Sequence, residues 1–476
     1  MTIRVNKSGL LLLVLLGLAA GCQEPTHRAT TPATTSVPPP TDAVRVAPLA
    51  GTASCSGRAC HGNAEPVPSQ PLPLNEFFLW SLRDPHVGAY DVLLNERSRQ
   101  IARNLRIPDG KAETDARCLA CHTNPLAARS DAGPLLQAER RFGVGCEACH
   151  GSAARWLTAH TTPAWKKLSV ADKAREGMIP VQDVAARAEV CAGCHVGKPA
   201  DATTGAPARD LYHDLLGAGH PRLNFEFSSY FAHLPRHWKE PERAPGHAAR
   251  EWAVGQVVAA RAALALLAER AANPQRPWPE FAEYDCAACH HDLREPARWT
   301  PGGPGRQPLG ALPMNDWHFA LLPVVLDNTP PPEIAELRTL LARRYPDREQ
   351  VARQARAADK QLGRSAWLLS ERGFDVPVIR QFLARLADRG VTSATGSWDN
   401  ADQTMLALFA LTEAEQRTRL RQAKLSAAEQ QQQVDAALQN LLDRLTRPRG
   451  PQGQHAPRRD ADFRNDLNAL LKPFRD

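Results

Sequence analysis

Between Cys118 and His195 the sequence runs through Cys118-Leu-Ala-Cys121-His122, Cys146-Glu-Ala-Cys149-His150 and Cys191-Ala-Gly-Cys194-His195. Each is a CxxCH pentapeptide. In an exported chain this pattern predicts covalent c-type haem: both thiols are consumed as thioethers on one porphyrin edge, and the adjacent imidazole becomes the proximal iron ligand. The spacing has a mechanical reason, because the two cysteines must reach the same edge while the histidine swings beneath the metal. Structural zinc would need closed sets of four ligands, and disulfides would leave the trailing histidines without a purpose.

Two further sites bracket the triplet. Cys286-Ala-Ala-Cys289-His290 is a regular copy, and Cys55-Ser-Gly-Arg-Ala-Cys60-His61 is a stretched CxxxxCH in which two extra residues bulge between the thiols. Together the five sites take ten of the 11 cysteines and leave only Cys22. The expectation is five covalently bound haem c groups, with His61, His122, His150, His195 and His290 as proximal ligands.

Distal ligands must come from the remaining histidines, since the chain has only four methionines. Met1 leaves with the signal segment, Met178 and Met405 have no haem-like context, and only Met314 is near a candidate. Bis-histidine haems of low potential are therefore expected. His86 follows Asp84-Pro85, a helix start with a capping carboxylate, within the helical pattern Asn75 to Leu105. A short helix is expected from Gly151 to His160, and it brings back His160. His213 and His220 flank a Gly-Ala-Gly break that allows close backbone approach to a flat ligand, and Arg222 beside them is an expected propionate partner. His237, His291 and His318 complete the stronger candidates; His233 and His247 are weaker.

Residues 1–21 read as a secretory signal. Arg4 and Lys7 precede an apolar run, Leu10 to Ala20, that is too short to span a bilayer. Leu18-Ala-Ala-Gly21-Cys22 resembles a lipobox, with Cys22 as the lipidated new N-terminus; ordinary signal cleavage is the alternative. Lipid anchoring in the periplasm, at the outer membrane, follows from the first reading, since no later segment is apolar enough to be expected to cross a bilayer. Residues 22–50, rich in Thr and Pro, form a tether.

Residues 51–325 are then a haem domain, and residues 326–476 a separate helical domain. The latter shows helical patterns at 332–344, 347–371, 376–389, 399–412 and 414–446, punctuated by Pro331-Pro332 and a loop from Gly390 to Gly396. The fold class is mainly α with little β. The formal charge of +7 includes Arg4 and Lys7, and about ten propionates would offset the rest, so the basic balance is no argument for nucleic-acid binding. No basic stripe with interleaved aromatics appears.

The stretch from about 51 to 320 resembles the cytochrome c-554 type multihaem cytochromes, relatives of hydroxylamine oxidoreductase and pentahaem nitrite reductase. The matching residues are Gly143 to Gly151, Asp84-Pro85-His86, Ala218 to Leu223 and Cys289-His290-His291. The resemblance implies closely packed, mostly bis-histidine haems that pass electrons between other redox proteins. It also implies an alternative, in which one five-coordinate iron reduces or oxidises a small nitrogen or sulfur oxyanion. The chain departs from the pattern in having five sites where cytochrome c-554 has four, in its CxxxxCH site, and in lacking a CxxCK haem. The C-terminal domain is a candidate docking or dimerisation surface.

Overall fold

A computed structural model describes residues 48–68, 72–238, 246–290, 312–394 and 398–422, with four isolated positions further on. The protein is mainly α, as its sequence leads one to expect. Among the described residues, β structure is limited to isolated bridges such as Lys198 with Arg209 and Tyr284 with Met314. The signal segment, Cys22, most of the tether and His291 lie outside the described residues.

The first half of the described chain is built from short helices joined by turns. The expected pattern from Asn75 to Leu105 is divided into Glu76–Arg83 and Glu96–Asn104, with single helical turns Pro85–Gly88 and Asp91–Leu94 between them. Asp84 ends the first helix and its side chain accepts from the His86 N–H, so the capping read from Asp84-Pro85 is realised. The segment Gly151 to His160 is not a helix. The backbone leaves Cys146–His150 at Gly151 with a positive φ of 84°, and only the turn Ala159–Thr161 is helical.

The second half is organised on one helix, His247–Ala272. Trp252, Val254, Val257, Leu264 and Leu267 on it are fully buried, and it packs against Val184–His195, Phe227–His233, Arg348–Glu371 and Trp398–Gln422. By length and composition it could cross a membrane, contrary to the expectation that no later segment would be apolar enough. Yet 78% of its apolar window is buried inside the protein. Apolar residues on every face hide such a helix from a search for amphipathic periodicity, and they are what a core helix surrounded by others requires.

The expected boundary at 325/326 falls inside this core. A single hydrophobic cluster runs from Val184 through Phe225, Trp252, Leu322 and Val325 to Leu362, Phe382 and Leu411. The C-terminal helices Pro332–Leu341, Arg348–Glu371, Val376–Ala394 and Trp398–Gln422 therefore share their core with the helix that carries the fourth CxxCH motif. Two details differ from the periodicity: Val376–Ala394 continues through Gly390, and Trp398–Gln422 passes without interruption across Glu413. Neither position carries a proline, and a lone glycine costs a helix only about 1 kcal/mol.

Candidate haem sites

Four of the motifs lie in helical turns: Ala116–His122, Cys146–His150, the end of Val184–His195, and Cys286–Ala288 with the residues after it. Helical winding puts residues i, i+3 and i+4 on one face. Both thiols and the imidazole of a CxxCH therefore share a face, as attachment to one porphyrin requires. The stretched first motif closes differently, through Cys60 N–H to Gly57 O at 2.8 Å and His61 N–H to Cys55 O at 3.3 Å. These bonds fold the extra residues out of the way. All ten motif cysteines are free thiols, the form that attachment consumes.

Each proximal histidine faces a second imidazole. Ring centroids are 6.2 Å apart for His61 and His160, 6.4 Å for His122 and His220, and 6.2 Å for His150 and His237. They are 6.1 Å apart for His195 and His86 and 6.4 Å for His290 and His213. Two imidazole nitrogens at about 2.0–2.1 Å from one metal, with each ring centre about 1.1 Å behind its nitrogen, give about 6.3 Å. The residues thus fit an iron between each pair.

In five of these ten histidines the Nδ1 is occupied in the way metal-ligating histidines need, whereas those of His195 and His237 are buried without a hydrogen-bond partner. The Nδ1 of His61 lies 2.9 Å from Glu76 Oε2, and that of His86 lies 2.8 Å from Asp84 Oδ1. Those of His122, His160 and His220 meet the carbonyl oxygens of Ala89, Trp156 and Pro221 at 2.7, 3.1 and 2.9 Å. In these five, Nε2 remains for a metal. Electrostatics divides the histidines in two. Burial pulls His150 and His195 down to about 4 and lowers His122, His220 and His237, which keeps these rings in the neutral, ligating form. Hydrogen bonds to Glu76 and Asp84 instead raise His61 and His86, marking them as the more basic donors.

Residues 53–151 match the family model described as cytochrome c554 and c-prime. This segment, about a fifth of the chain, is similar to that family. The match supports a c-type cytochrome reading of the segment that holds the first three motifs. No curated protein and no solved structure matches the chain.

The cytochrome c554 segment holds the first three motifs and His86; the fourth and fifth motifs and the distal candidates His160, His213, His220 and His237 lie beyond it. Sulfur contacts join the motifs to one another. Cys55 hydrogen-bonds with Cys146, Cys149 lies near Cys191 and Cys194, and Cys194 hydrogen-bonds with Cys121. The second motif reaches the fifth site through Arg117, which donates to the Tyr212 hydroxyl at 3.1 Å, next to His213.

The remaining candidates are not among these five pairs. His233 is exposed, with Nδ1 2.7 Å from Ser229 O, and His247 Nε2 lies 2.9 Å from Glu251 Oε1. His318 is buried deeply enough to be lowered to about 3, and it stands apart from the five pairs among the described residues. Arg222, the expected propionate partner, is engaged by Asp399 at 2.6 and 3.0 Å and lies over the Trp317 ring. Nothing local in the sequence couples Glu76 to His61, fifteen positions earlier. The Asp84-x-His86 spacing was a legible sign of the second carboxylate.

Proposed function

We propose that the protein is an exported pentahaem electron carrier in which five haem c groups are each held by two histidines. One repeated observation carries this reading: all five proximal histidines face a second imidazole at 6.1 to 6.4 Å. Haem iron with two imidazole ligands supplies a one-electron couple of lower potential than iron with a methionine ligand. The chain's own contribution is to fix the ligands and keep the buried imidazoles neutral. It also brings the motifs together in the order first, third, fourth, second, fifth. Lipidation at Cys22 would hold it at the outer membrane, on the periplasmic side, and its partners would be other redox proteins.

The reductase alternative needs an iron without a second histidine, and the imidazole facing each motif histidine favours the carrier. Paramagnetic resonance of the oxidised holoprotein, with a pyridine haemochrome count, tests the proposal. Five equivalents of low-spin haem are expected. A high-spin signal that shifts with nitrite or hydroxylamine would sink the carrier reading in favour of an enzyme.

A further inference from the structure

The fifth site differs from its neighbours in how little packing surrounds it. Cys286, Cys289 and His290 are exposed, whereas the cysteines of the second, third and fourth motifs are half-buried. Among the described residues the His213 ring has apolar contact with the Phe281 ring, edge-on at 5.7 Å and itself 51% exposed. A network of charges runs behind the site instead. Arg270, in the last turn of His247–Ala272, is only 7% exposed, and its guanidinium bonds Asp210 on one side and Glu283 on the other. Asp210 lies three residues before His213, and Glu283 three residues before Cys286. The same guanidinium donates to Leu211 O at 3.5 Å, and the His213 N–H donates to Glu280 Oε1 at 2.8 Å.

We propose that Arg270 is the positioning residue of the fifth haem site, a buried fork that sets the segment carrying His213 against the segment carrying Cys286, Cys289 and His290. The inference rests on the bis-histidine reading above. Arginine suits the task because its planar guanidinium presents donors in fixed directions to two carboxylates at once, whereas lysine is a point charge on a flexible stem. Its place on a long core helix supplies a rigid reference. Arg276 completes the set, reaching Asp210 Oδ2 at 2.5 Å and Glu269 at 2.9 Å. Burial raises Asp210, but the guanidiniums of Arg270 and Arg276 outweigh it and hold the carboxyl below its ordinary range. Glu283 lacks the second guanidinium, and burial pushes it up in spite of Arg270. The two arms of the fork are thus unequal, with the firmer ion pair on the His213 side.

Three holoprotein variants test the assignment beside the wild type: Arg270→Met, Arg270→Lys, and the triple variant D210N/R270M/E283Q, which removes the fork without stranding two carboxylates in the interior. Haem equivalents per chain, low-spin and high-spin resonance signals, and a redox titration are read for each. Four low-spin haems should persist in the triple variant and in Arg270→Met, while one is lost or turns high-spin with a shifted potential. Arg270→Lys should recover part of that signal. Five low-spin haems with unchanged potentials in the triple variant would overturn the assignment, and so would loss of all five together, which would mark Arg270 as a residue of the fold. A wild type without a bis-histidine fifth haem would overturn this inference and the pentahaem reading at once.

Discussion

His150 and His237, remote in sequence, stand with ring centroids 6.2 Å apart and planes inclined by 70°. Only His150 belongs to an attachment motif, so the two halves of the site can be separated by mutation. His237→Ala should leave both thioethers to Cys146 and Cys149 intact and open one coordination position. The haemochrome count should stay at five while one haem turns high-spin, and added imidazole should restore the low-spin signal. An unchanged resonance spectrum would show that His237 is not the partner of His150.

A carboxylate behind a ligating imidazole raises the basicity of the ring and favours the more highly charged metal. Asp84 stands in that position to His86, 2.8 Å from its Nδ1. Asp84→Asn keeps a side-chain oxygen there and removes the charge. One of the five midpoint potentials should rise, by about 60 mV for each tenfold preferential loss of ferric affinity in a one-electron couple. Glu76→Gln should act in the same direction through His61. A potentiometric titration that superimposes on the wild type would refute the assignment of both carboxylates.

Gly143 ties the third motif to His86, the imidazole that faces His195 of the fourth. Its φ is +60°, and a Cβ there would lie 2.4 Å from His86 O and 2.7 Å from Val87 O, while the next residue, Val144, donates its N–H to His86 O at 3.0 Å. Gly143→Ala cannot be accommodated by a side-chain rotation, because both neighbours are backbone atoms. It should cost at least about 1–3 kcal/mol from the dihedral alone. The loss should fall first on the low-spin signal of the haem held by His195 and His86, read by resonance during thermal unfolding. Uniform weakening of all five signals would place the strain elsewhere.

The motif cysteines and histidines were legible because the covalent chemistry they would serve dictates their spacing, and that spacing survives in the sequence however the chain is folded. The imidazoles that face them were legible only as a set. His86, His160, His213, His220 and His237 could all be named, but nothing local couples His237 to His150 and not to His122; that pairing is a property of the packed chain. His318 shows the converse. Its Trp317-His318 context looked like the others, yet it lies in the interior beside Arg222 and Asp399. Charge pairs between distant segments, such as Arg222 with Asp399 and Arg270 with Asp210, leave no periodic trace at all. The central helix escaped notice for a different reason: a helix buried on every side has no polar face to set its period.

That helix gives the sharpest expectation about the chain's organisation. Trp252, Leu264 and Leu267 are fully buried, and the Trp252 ring meets Phe382 edge-on at 5.8 Å. Gln256 donates to Gln403 at 3.1 Å within the same interior. A chain ending after residue 325 would bare the face of His247–Ala272 that Arg348–Glu371 and Trp398–Gln422 cover, and each buried Leu, Val or Phe returned to water costs about 1.5–3 kcal/mol. Several such losses exceed the 5–15 kcal/mol that an ordinary domain has in reserve. The truncated protein should therefore aggregate or be degraded on export without accumulating as a soluble cytochrome. Trp252→Ala in the full chain should lower stability by about 3–5 kcal/mol without touching any haem ligand, as read by denaturant unfolding. Recovery of a soluble, fully haem-loaded fragment ending at 325 would show that the haem-bearing half needs no support from the C-terminal helices.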